Sequence, residues 1–119
     1  LFERADFQYI ASELVKYYGL KSKVKFGSSN DGDYDFDNDV IILRRNYPSV
    51  QEFVVSVLHE IHHAVQRKKF GLKKFLKKYN QAGNMADLRG KDRYLHNKWE
   101  RKAENWAQQE YRRYWKDKF

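Results

Sequence analysis

The sequence has no cysteine, a single proline, and six glycines scattered one at a time. Without cysteine there is no disulfide, no thiolate zinc knuckle and no cysteine nucleophile, so any metal must be held by imidazole and carboxylate. It also lacks a run of about 18 apolar residues, which argues against a membrane span, and a charged-then-apolar leader with a small-residue cleavage site. A soluble, cytoplasmic protein is the expectation. Acidic residues are in the minority, 16 against 24 Lys and Arg, leaving a formal charge of +8. That excess suits solubility, and equally an acidic partner or nucleic acid met through a basic surface. There is no internal repeat and no low-complexity linker.

What is present is enough to fold. Apolar residues make up 41% and aromatics 17% of 119 residues, the size of one domain, 1–119, with one core. Phe7, Ile10, Ala11, Leu14, Val15 and Tyr18 recur at helical spacing, and Gly19 stops that helix. "KSKVKFG" alternates like a strand, and "GDYDFDNDVIIL" reads as two strands turning near Asn38. Ser49, with Glu52 three residues later and Pro48 just outside, marks a helix from about Val50 to Gly71. A short basic helix carrying Leu72, Phe75, Leu76 and Tyr79 follows, then a loop at "GNMADLRGKD". A last helix is expected from about Asp92 to Trp115, with Leu95, Trp99, Ala103, Trp106 and Ala107 on one face. The fold class is α+β: a helix, a small sheet of about three strands, then helices.

The chemistry concentrates in "LHEIHHAV", residues 58–65. Histidines four apart stand about 40 degrees apart around a helix, so His59 and His63 reach one point beside it, as a tetrahedral zinc requires. Glu60 projects from the same turn, where the H-E-x-x-H pattern places a general base. Val50, Val54, Val57, Ile61, Ala64 and Val65 point away from the histidines as a core stripe. His62 stands about 60 degrees off the metal direction and reads as a surface or outer residue. A third ligand decides the matter, and the last helix offers His96, Glu100 and Glu104 at successive i, i+4 positions, with Ala103 and Ala107 small enough to let the two helices approach.

These motifs resemble the gluzincin class of zinc peptidases, in which a later helix supplies a glutamate ligand. "VIIL", "LHEIHHAVQ" and "ERKAENWA" together are similar to the compact ImmA/IrrE-type metallopeptidases over roughly Val40 to Ala107. The resemblance implies a zincin-like minidomain in which His59, His63 and Glu100 hold one Zn²⁺. It makes Glu104 the carboxylate that orients a ligand histidine, with Trp106 and Ala107 packing behind. Glu104 departs from the pattern, standing where Asp or Asn is usual. The function implied is hydrolysis of a protein or peptide substrate by a monomer, with Glu60 as base. A second resemblance, to SprT-type zinc peptidases acting on DNA-bound proteins, would make His96 the third ligand, although "HNKWE" lacks the glycine and aromatic expected there. His96, Tyr111 and Tyr114 are the candidates for steadying an oxyanion. A different class of reading is a metal-bearing or metal-free zincin-fold module, of phage-like origin, that binds protein or DNA without cutting it.

Two further signals have simpler explanations. Aspartates at 31, 33, 35, 37 and 39 lack the Gly and Glu that a calcium loop needs, and read as an exposed acidic strand face. An edge beside the metal is also where an extended peptide would add as a strand. "RKKFGLKKFLKK" reads as an amphipathic helix with its lysines in water.

Overall fold

The computed structural model describes residues 4–30, 32–94 and 96–119. Helix α1 (Arg4–Tyr17) leads into strands β1 (Lys23–Phe26), β2 (Gly32–Asp35) and β3 (Val40–Leu43). Helices α2 (Val50–Phe70), α3 (Leu72–Leu88) and α4 (Lys98–Glu110) follow, and α4 runs on into one wider π turn, Tyr111–Trp115. Asp31 and Leu95 lie outside the described residues, so the parts assigned to them in the acidic run and the last helix stay untested. No helix among the described residues is long and apolar enough to cross a membrane.

The sheet has the order β1-β3-β2, with β3 parallel to β1 and antiparallel to β2. β3 is central because "VIIL" is apolar throughout, whereas the polar-alternating strands take the edges. The turn between β2 and β3 is built by its aspartates. The Asp35 carboxylate accepts from the amides of Asp37 and Asn38 and from the Asn38 side chain. Asp39 takes a positive φ of 56° and accepts from Ser22 and Tyr34. Asp33 accepts from Ser28 and Asn30. The described aspartates on the strands thus serve local geometry, and those partners occupy the oxygens a cation would need.

α2 is the axis of the molecule. Ser49 caps it by accepting from the Glu52 amide, and Gly71, at φ 82°, lets the chain leave it. It packs against α1, β2, β3, α3, α4 and the π turn, and its Phe53 also meets Phe26 of β1, ring centroids 6.4 Å apart. Its apolar side meets α1 and the sheet, where Phe7 stacks on Phe53 at 4.2 Å and Val54, Val57, Leu58 and Ile61 are fully buried. The stripe differs from expectation at its ends: Val50 is half-buried, and Val65 turns to solvent. The histidine side is covered too. α4 lies across it, and Ala103 and Ala107, both with no exposed surface, allow the close approach.

Two boundaries differ from expectation. α3 runs through "GNMADL" because Gly83 makes a notch rather than a break: a Cβ there would sit 2.9 Å from the Arg93 guanidinium. Arg93 is held in the notch by Asp87 and Asn84. α4 starts at Lys98 rather than Asp92, because the buried Asn97 accepts from the Trp99 amide while donating to the Tyr79 carbonyl. The sequence carried this signal as Asn97 with Glu100 three residues on.

Candidate metal centre

His59 and His63 sit one turn apart in the middle of α2, and Glu100 sits in the first turn of α4, facing them. Glu100 Oε1 lies 2.8 Å from His59 Nε2 and 2.8 Å from His63 Nε2. The opposite ring nitrogens are both engaged. His59 Nδ1 is 2.9 Å from Glu104 Oε1, and His63 Nδ1 is 3.1 Å from Gln66 Oε1. A carboxylate can only accept, so His59 Nδ1 carries a proton, which leaves Nε2 as the nitrogen able to bind a cation. The longer side chain of Glu104 thus still reaches the His59 ring. Glu100 is fixed from its far side by the Tyr79 hydroxyl, which donates to Oε2.

The donor set fits a zinc ion in kind. Two imidazole nitrogens and a carboxylate oxygen converge on one point, and the donor atoms of His59, Glu60 and His63 all lie within 4.8 Å of one another. In spacing it is slightly tight. Tetrahedral zinc with bonds of about 2.0–2.1 Å sets its ligands about 3.3 Å apart, so Glu100 has to draw back by about 0.5 Å. As it stands, the cluster is a buried ion-pair network. Burial pulls the His59 pKa down, but Glu100, Glu104 and Glu60 outweigh it and raise it to about 10. Burial alone would raise Glu100, yet the two histidines and Tyr79 hold it well below the ordinary carboxylate range.

Glu60 is buried at the head of a cleft of about 1020 Å³ that His59, Glu100, Glu104 and Tyr94 also line. Burial pushes its carboxyl up to about 7, against the pull of the two histidines. The backbone of β2 presses on it. A Cβ on Gly32 would stand 3.0 Å from Glu60 Oε2, so only glycine leaves that carboxylate where it is.

No family model, curated protein or solved structure matches this chain.

The remaining candidates fall elsewhere. His96 is exposed and lines a separate cavity between α3 and α4, so it is not brought to the histidine pair. Tyr111 is buried in the core with its hydroxyl donating to the Lys116 carbonyl, and Tyr114 is exposed; neither lines the cleft. Two phenols do line it: Tyr47, whose oxygen accepts from the Arg44 amide, and Tyr94, kept protonated because burial and the charges of Glu100, Glu60 and Asp33 raise its pKa. His62 lies on the outer side, its ring 5.1 Å from that of Trp106, and burial lowers its pKa to about 4. Tyr79, Tyr94 and Gln66 went unrecognised in the sequence. Tyr79 lies in the apolar stripe of α3, so nothing local in the sequence marks its hydroxyl as a partner of Glu100.

Proposed function

We propose that this protein is a zinc-dependent peptidase of zincin-like build, nearest in pattern to the ImmA/IrrE-type enzymes. One observation carries the reading: two imidazoles from α2 and a carboxylate from α4 meet at one point, with a buried carboxyl, Glu60, beside them at the head of a cleft. His59, His63 and Glu100 would hold the ion, Glu104 and Gln66 would fix the rings, and Tyr79 would hold Glu100 against them. When bound, the cation supplies a Lewis acid that acidifies a water and polarises a carbonyl. Glu60, poised at about 7, takes the proton of the attacking water and passes it to the leaving amine. The Tyr94 hydroxyl, on the cleft wall, donates to the oxygen that gains charge. The edge of β2 along the cleft offers an extended peptide a strand to pair with.

A second reading is favoured by the 2.8 Å contacts themselves: the cluster is a structural ion-pair staple between α2 and α4. Glu60→Gln and Glu100→Gln separate the two. For the peptidase, elemental analysis finds about one zinc in the Glu60→Gln protein, while chelator-sensitive cleavage of an unfolded protein falls about 10²–10⁴-fold, the usual share of a general base. Glu100→Gln loses the zinc. Normal cleavage by Glu60→Gln would remove the base assignment, and a wild-type protein that takes up no zinc would leave the staple.

A further inference from the structure

The second cavity, of about 480 Å³, lies between the last turns of α3 and the first turn of α4, away from the histidine pair. Five permanent cations line it, Lys78, Arg89, Lys91, Lys98 and Arg101, and no carboxylate does. None of the five is ion-paired among the described residues, where Arg93 takes up Asp87 and the histidines take up Glu100. Lys78 and Lys98 rest instead on aromatic faces, 5.6 Å above Phe70 and 5.2 Å above Trp99. So many like charges around one hollow repel one another unless an anion enters.

Trp99 forms part of the cavity wall and is only 8% exposed, and its indole N–H, buried within the fold, has no hydrogen-bond acceptor among the described residues. The start of α4 adds its positive dipole end to the same wall.

We propose that this cavity binds a small ligand carrying two or more linked phosphates. A single phosphate monoester brings about −1.5 to −2 charges, too few for five cations, whereas linked phosphates bring enough and spread their oxygens over the same span. Arg89 and Arg101 supply forked donors for those oxygens. Met85, Ala82 and Ala86 give the hollow an apolar side suited to an organic group attached to the phosphates. A hollow of this size takes a small molecule and not a duplex. The binding does not depend on the peptidase reading.

Calorimetry with pyrophosphate, ATP and AMP tests the site. Pyrophosphate and ATP are expected to bind at least about tenfold more tightly than AMP. The double variant Arg89→Gln/Lys91→Gln should lose at least about tenfold in that affinity. Lys73→Gln/Lys74→Gln, which removes the same charge from α3 outside the cavity, should change it less than about twofold. Any heat from metal taken up by the phosphates is the same in both variants and cancels in the comparison. Equal losses in the two variants, or no saturable binding of pyrophosphate or ATP, would overturn the proposal. So would tight binding of an oligodeoxythymidylate that the cavity variant abolishes while ATP does not bind, because the occupant would then be a strand of nucleic acid.

Discussion

At the scale of single residues the decisive atoms are four ring nitrogens. Glu100 Oε1 and Glu104 Oε1 can only accept, so in the metal-free protein His59 is protonated on both nitrogens, in keeping with a pKa raised to about 10. Under the peptidase reading, zinc would have to displace the Nε2 proton. Calorimetry in buffers of different ionisation enthalpy is expected to find protons released on zinc binding, and affinity that rises with pH from 6 to 9. Stability of the metal-free protein runs the other way. His59 and Glu60 both have raised pKa values, so their contributions are complete below the unfolded values of 6.5 and 4.5 and are lost as pH rises through about 10 and about 7. Glu100 is depressed, so its contribution is present above 4.5 and fades only in stronger acid, and His62, lowered to about 4, opposes folding as pH falls below 6.5. Urea midpoints of the metal-free protein should therefore peak near about pH 5–6 and fall towards pH 9. A midpoint that climbs over that range would show that the ion-pair network is not formed. The paired histidines and Glu60 were legible because one helix carries them at a fixed angular spacing. Tyr79 and Tyr94 were not, since no local period links α3 or the turn at Tyr94 to a carboxylate on α4.

At the scale of elements the site depends on how near α4 comes to α2. Ala103 and Ala107 are fully buried at that contact, and every atom added there pushes Glu100 away from the histidines. Ala103→Leu is expected to cost about 1–3 kcal/mol of stability by overpacking. It should also weaken zinc binding by about tenfold or more, because a misplaced ligand loses most of its bond. Ser49→Ala, which removes the cap of α2 at the far end, should cost about 1 kcal/mol in thermal unfolding and leave zinc affinity unchanged. Equal effects of the two on zinc would mean that metal binding follows overall stability and not helix approach. α2 could be read almost to the residue, because Ser49 and Gly71 are local chemistry. The start of α4 and the true length of α3 could not, because both hinge on tertiary contacts: Asn97 reaching the Tyr79 carbonyl, and Arg93 lying over Gly83. The C-terminal π turn is similar. Its Trp115 donates to Tyr18, which donates in turn to Glu110, and that chain of contacts ties the end of α4 to the end of α1 across 97 positions of sequence.

At the scale of the whole molecule, charge is distributed unevenly. The chain is +8 overall, yet the cleft wall adds Asp33, Glu52 and Glu104 to the carboxylates of the centre, against Arg44 and Arg101. Under the peptidase reading, a segment entering it would meet more carboxylates than arginines on the walls of an otherwise basic protein. Under the peptidase reading, a lysine-rich unfolded protein should be cleaved faster than an acidic one, with the difference shrinking as salt rises from about 50 to 500 mM. Preference for the acidic substrate would mean that the outer surface, and not the cleft, governs encounter. The contact between β2 and Glu60 carries a different consequence, for how this chain can vary. Position 32 is closely limited: the Cβ of alanine there would make the Glu60 carboxyl give way by a few tenths of an ångström, and larger residues would displace it further. Under the peptidase reading, a mutational scan scored for cleavage should show the two sites to be coupled. Scored for folding alone, with Glu60 trimmed to alanine, position 32 would open to many residues.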